Sequence, residues 1–209
     1  MNRKHIIICI LTFLFLSLVC LIKTDLITDF DIFIYNLFSA NMNDNLTNAF
    51  KLITFLGSGV SIACACVLAL IISFYLKKRN VGLAIAGCVT FNSLFSEGLK
   101  MVIQRPRPEI LQLASESSYS FPSNHTLASV SLCGILLYFV LKSKLDKRLK
   151  IIFSAILTLL PILIGISRIY LGVHNASDVL GGAILAMILL LIEISIIEKI
   201  GRASCRERV

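Results

Sequence analysis

An all-α fold of six membrane-crossing helices is predicted for this chain by three observations. Of its 209 residues, 57% are hydrophobic and 15% charged, against roughly 25% charged in an ordinary soluble domain. The charge falls in short clusters separated by long apolar runs, at residues 6–22, 52–76, 81–100, 126–141, 151–167 and 179–197. Each run approaches the roughly 20 residues an α-helix needs to cross ~30 Å of hydrocarbon. No repeat or polar linker divides the chain, so residues 1–199 read as one domain.

The first run follows Arg3, Lys4 and His5. It resembles a secretory leader but lacks a small-x-small cleavage site, because Leu18, Val19 and Cys20 stand where that site would fall. It therefore reads as an uncleaved helix. The second run ends at Lys77, Lys78 and Arg79, and the third at Lys100. The stretch Gln104-Arg105-Pro106-Arg107-Pro108 stops helical structure, since each proline pushes its predecessor out of the α region. The fourth run opens after Phe121-Pro122-Ser123-Asn124-His125, with Ser123 placed to cap it. The fifth closes on Ser167-Arg168. In the sixth, Gly181, Gly182, Ala183 and Ala186 form a small-residue face suited to close helix packing.

Six of the seven cysteines lie in apolar runs without metal-ligand spacing or a disulfide framework, and read as packing residues. Residues 200–209 change character abruptly and resemble a translated sequencing-library adapter, which marks them as a non-native tail.

Basic residues set the expected topology. With the N-terminus in the cytoplasm, inner segments carry eleven lysines and arginines before residue 200, and outer segments carry six. This bias predicts cytoplasmic termini. The net charge of +8 thus reads as membrane anchoring, with no nucleic-acid partner implied.

Every candidate chemical residue then falls on the outer side. Lys100 at a helix end serves equally as a snorkelling anchor. Ser123 and His125 stand at a helix N-terminus, where free N–H groups favour an anion, but a cap and an interfacial histidine also suit a purely structural role. His174 and Asp178 are four residues apart on one helical face, so the carboxylate can hold one imidazole nitrogen. An ordinary interfacial hydrogen bond needs nothing more. Glu97, three residues before Lys100, is placed to pair with it or with a neighbouring arginine.

Taken together the pattern is more specific. Lys100 with Arg107-Pro108, Pro122-Ser123-x-His125, and Ser167-Arg168 with His174 and Asp178 resemble the three-part signature of the type 2 phosphatidic acid phosphatase superfamily, in its membrane-bound branch. The departure is Asn124, where the family most often has glycine. Asparagine tolerates a left-handed backbone better than most residues, so activity is expected to survive.

The resemblance implies a lipid phosphatase of the plasma membrane, working at the outer face. It assigns His174 as nucleophile, Asp178 as its orienting group and His125 as the acid and base. Lys100, Arg107, Ser123, Asn124 and Arg168 hold the phosphate, with no metal and no cofactor. The substrate is a lipid phosphate or diphosphate drawn from the surrounding membrane lipids. Undecaprenyl diphosphate is the leading expectation, with phosphatidic acid or phosphatidylglycerophosphate as the alternative. A transporter or lipid-binding protein would fit the composition, but gives no reason for two histidines and an aspartate at those spacings.

Overall fold

The computed structural model describes residues 3–114 and 116–206. Among them are eight helices and no strand: α1 (Arg3–Lys23), α2 (Thr28–Ser39), α3 (Asp44–Leu56), α4 (Gly59–Tyr75), α5 (Arg79–Ile103), α6 (Asn124–Lys142), α7 (Lys147–Tyr170) and α8 (Ala176–Arg206). Five are long and apolar enough to cross a membrane, and the bent pair of α3 and α4 makes a sixth if counted as one span. The chain is a multi-pass integral membrane protein, all-α as expected.

The second predicted run is corrected by the structure. Residues 52–76 are not one helix but parts of two, bent by 45° at Gly57 and Ser58. The Ser58 side chain accepts the Ser61 N–H at 3.3 Å, and the Ser61 hydroxyl donates back to the Phe55 carbonyl at 2.7 Å. These local bonds substitute for the helical ladder and restart it in a new direction. Helix α2 was not foreseen. At 12 residues it is too short to span, and its aspartates interrupt the apolar run that would have marked it. Helix α8 continues through Arg206, past the expected end of the sixth run. Residues 207–209 of the adapter-like tail lie outside the described residues.

The interior is narrow, as a membrane bundle permits. Phe15, Leu18 and Ile22 of α1 pack on Leu185, Ala186 and Leu189 of α8. Ile62 and Cys66 of α4 join Ile85 and Val89 of α5 with Leu132 and Ile135 of α6. Large apolar side chains such as Phe13 and Phe74 remain outside, where lipid replaces protein as their partner. Cys9, Cys20, Cys64, Cys66, Cys88 and Cys133, the six in apolar runs, are free, with Cys66, Cys88 and Cys133 buried as packing residues.

Candidate active site

The C-terminal ends of α5 and α7 and the N-terminal ends of α6 and α8 meet on one side of the bundle. Helix α5 closes at Gln104, whose left-handed backbone (φ 51°) donates its N–H to the Lys100 carbonyl at 2.9 Å and turns the chain into an irregular segment, described at residues 104–114 and 116–123. That segment ends in a cis Phe121–Pro122 bond. It is held against α8 by the Ser123 N–H donating to the Asp178 carbonyl at 3.1 Å. The small-residue face of α8 makes this approach possible: a Cβ on Gly182 would come within 2.6 Å of the Ser123 carbonyl oxygen. After α7, Gly172 (φ 70°) reverses the chain, and the N–H groups of Val173 and His174 both donate to the Arg168 carbonyl.

Around His174 the arrangement is closed. The ring is 2% exposed and Asp178 fully buried. Nδ1 lies 3.6 Å from Asp178 Oδ2, too long for a hydrogen bond, and 3.4 Å from the Ser120 hydroxyl. That hydroxyl donates to Asp178 Oδ2 at 2.6 Å, so Ser120 stands between the pair. The Asn175 N–H also donates to Oδ2, at 2.8 Å. On the far side of the ring, Nε2 faces Arg107 Nη1 at 3.5 Å. Complete burial pushes the His174 imidazole down to about 4, with Arg168 and Arg107 adding to the fall and Asp178 opposing it. The ring is therefore neutral near pH 7.

The cations gather beside that nitrogen. Arg107 donates from Nε to the Ser118 carbonyl at 2.8 Å and from Nη1 to the Val173 carbonyl at 2.6 Å. Lys100 donates to the Ser118 hydroxyl at 3.0 Å, with Glu97 at 3.7 Å as the expected partner. Arg168, 2% exposed, donates to the Thr54 hydroxyl at 2.9 Å, while its buried Nε has no acceptor among the described residues. Glu116 sits in the middle of this group. Its carboxylate accepts from Arg168, lies 3.8 Å from Arg107 and stands 3.9 Å from His125 Nδ1. Burial alone would raise the Glu116 carboxyl, but Arg168, His125 and Arg107 together hold it below the usual carboxylate range.

Lys100, Arg107, Asn124, His125 and His174 all line one cavity of about 600 Å³. Ser123, Arg168 and Asp178 are buried, with Arg168 and Asp178 lying against the lining residues Glu116 and His174. The eight site residues predicted from the sequence thus converge, with two corrections of detail. Ser123 occupies the N-cap position of α6 without making a side-chain cap; its oxygen accepts instead from the Thr126 hydroxyl at 3.1 Å. Asn124 is not left-handed but begins α6, and its side chain accepts from Ser96 and donates to Glu97 on α5. The helical backbone at this position does not call on glycine's conformational freedom.

Sequence reasoning missed Asp31, Glu116, Ser118 and Ser120, and gave Arg105 no role. Arg105 donates to Asp178 Oδ1 at 2.6 Å and to Asp31 Oδ2 at 2.8 Å. A second arginine beside Arg107 in a proline-framed stretch was the one available signal.

The pattern of the PAP2 superfamily matches residues 80–202. Phosphatidylglycerophosphatase B of Bacillus subtilis is 37% identical over 131 residues, 62% of this chain and 64% of its own length. Lipid phosphate phosphatase delta of Arabidopsis thaliana is 31% identical over 134 residues, 58% of this chain but 31% of its own length. The matched stretches thus span less than two thirds of either relative. The crystal structure of a transmembrane PAP2 type phosphatidylglycerolphosphate phosphatase from Bacillus subtilis superposes with a TM-score of 0.86 at 31% identity, covering 92% of this chain and 96% of that one. Aquifex aeolicus LpxE matches at a TM-score of 0.58 and 28% identity, over 78% of this chain and 94% of its own.

Proposed function

We propose that this chain, which belongs to the PAP2 superfamily, is a membrane lipid phosphatase that removes the terminal phosphate from phosphatidylglycerophosphate through a phosphohistidine on His174. The observation that carries this reading is the continuity of the cavity. From Lys100, Arg107, His125 and His174 it runs along Ile62, Cys66, Val67 and Leu70 of α4 and Ala86, Val89 and Leu94 of α5. At about 1.5 Å per residue, the α4 wall from Gly59 to Leu70 is on the order of 17 Å long. A phosphate among the cations can therefore keep its acyl chain in an apolar groove open to lipid.

Phosphoryl transfer asks a protein for positioning and for charge around the three equatorial oxygens. Arg107, Arg168 and Lys100 supply the charge, and Arg168 Nε, without an acceptor among the described residues, is a donor ready for a phosphate oxygen. The free N–H groups at the start of α6 add to it. Nε2 of neutral His174 attacks phosphorus, and the P–O bond to the glycerol breaks as His125 gives its proton to the leaving oxygen. Water then attacks the phosphohistidine, His125 takes its proton, and inorganic phosphate leaves. Glu116 gives way to the incoming phosphate, whose dianion takes over its contacts.

Similarity to the Bacillus phosphatidylglycerophosphatase supports a glycerolipid monoester over the isoprenoid diphosphate favoured from sequence alone. The basic-residue bias supports an outward-facing site and cytoplasmic termini. Purified protein in detergent, given phosphatidylglycerophosphate, phosphatidic acid and undecaprenyl diphosphate at equal concentration, tests the assignment. The highest kcat/KM is expected for the first. Preference for the diphosphate would overturn the substrate, and no release from any of the three would overturn the activity.

A further inference from the structure

Helix α2 carries a buried charge that the reaction scheme does not use. Its neighbours Phe30, Ile32 and Phe33 are exposed, yet Asp31 is 4% exposed and points inward. Oδ1 accepts the Ser177 N–H at 2.8 Å. Oδ2 accepts both the Ser177 hydroxyl at 2.6 Å and Arg105 Nη2 at 2.8 Å. From Nη1 the same guanidinium donates to Ser177 Oγ at 2.7 Å and to Asp178 Oδ1 at 2.6 Å. The Arg105 carbonyl accepts the Ser120 N–H at 2.9 Å, and the Ser120 hydroxyl is the group bonded to the other oxygen of Asp178. One arginine thus fixes Asp178 from two directions.

We infer that Asp31 and Arg105 are positioning residues for catalysis, an ion pair brought in by α2 that locks the carboxylate of Asp178 and, through it and Ser120, the angle at which His174 presents Nε2. The inference rests on the proposed phosphatase reaction, but on none of its substrate detail.

Two features point to positioning over simple docking of α2. A buried ion pair is weak as a source of stability, since its desolvation nearly cancels its attraction, and apolar side chains would hold α2 as well. The pair is also aimed: both carboxylates are reached by a single planar fork, the geometry that makes arginine directional where lysine is not. The direct contact from Asp178 to His174 is long at 3.6 Å. Ring orientation therefore depends on how firmly Asp178 and Ser120 are themselves held, and an error of about 1 Å at a reacting atom costs on the order of 100-fold in rate.

The test is steady-state kinetics of the full chain on whichever lipid phosphate the wild type turns over. Asp31→Asn keeps the shape and the Ser177 contact but loses the charge; Arg105→Gln loses the fork. Both are expected to lower kcat by about 10- to 100-fold with KM within about twofold. Arg105→Lys, which retains charge but reaches one carboxylate at a time, should recover part of the loss. In an Asp178→Asn background Arg105→Gln should add little, because its effect passes through Asp178. Unchanged kcat, a change confined to KM, or an equal loss with and without Asp178 would each overturn the inference. Should Asp31→Asn not fold, Arg105→Lys against Arg105→Gln decides alone. A wild type inactive on every lipid phosphate is a different failure, that of the proposed function.

Discussion

The two sides of the catalytic cavity are built in opposite ways. Behind His174, buried partners surround the carboxylate: Asp178 takes bonds from Arg105, Ser120 and the Asn175 N–H, and Arg105 is itself tied to Asp31. In front of it, the cations hold a carboxylate of the chain's own, Glu116, which is partly exposed, while Arg168 Nε goes without a partner among the described residues. The first side is preorganised and has nothing to rearrange when substrate arrives. The second is a set of charges whose present contacts are replaceable, as a site that must release product requires.

Breaking the closed side should have the largest effect. His174→Ala removes the proposed nucleophile, and kcat is expected to fall by at least about 10⁴-fold in steady-state assays, with an unaltered circular dichroism spectrum. On the open side, Arg168→Gln removes one pair of the donors proposed to hold the transferring phosphoryl group and should cost about 10²- to 10³-fold in kcat/KM. A loss from Arg168→Gln as large as that from His174→Ala would erase the distinction between the two sides.

A smaller effect concerns pH. Because His174 is held down to about 4, its neutral form, the one proposed to attack, persists well below the ordinary histidine value of about 6.5. Activity owed to it is present above that lowered value and lost as pH falls through it. A kcat/KM profile corrected for substrate ionisation should put the acid limb of the nucleophile nearer 4 than 6.5. The same shift carries a stability cost in acid: between about 6.5 and 4 an unfolded chain binds a proton that the folded ring refuses, so thermal unfolding should move to lower temperature as pH drops through that window.

The mildest perturbation is Glu116→Gln. It removes the carboxylate that competes for Arg168 and Arg107, so inhibition by inorganic phosphate should strengthen by about three- to tenfold. Weaker inhibition would mean that Glu116 supports the phosphate site instead of occupying it.

The contrast also explains what could be read before any coordinates. Six apolar runs disclosed the membrane bundle because crossing hydrocarbon leaves a long, uninterrupted mark. Lys100, Arg107, Ser123, His125, Arg168, His174 and Asp178 stood out only jointly, through their resemblance to the superfamily's three-part signature; each alone suits a structural role. The bend at Gly57 was hidden, since both arms are apolar and the break depends on serine side chains bonding to nearby backbone. Asp31 was hidden more deeply. It lies 146 residues from Ser177, in a helix too short to register, and only folding shows that it faces inward. Glu116 sits in an irregular segment with no periodicity to mark it.

The central claim is that His174, backed by Asp178, forms a covalent bond to phosphorus, and trapping that intermediate tests it most directly. Wild-type protein mixed with lipid bearing a radiolabelled terminal phosphate, quenched in alkaline detergent within milliseconds and digested, should carry acid-labile label on the peptide containing His174, absent from His174→Ala. Label on His125, or undiminished turnover by His174→Ala, would contradict it.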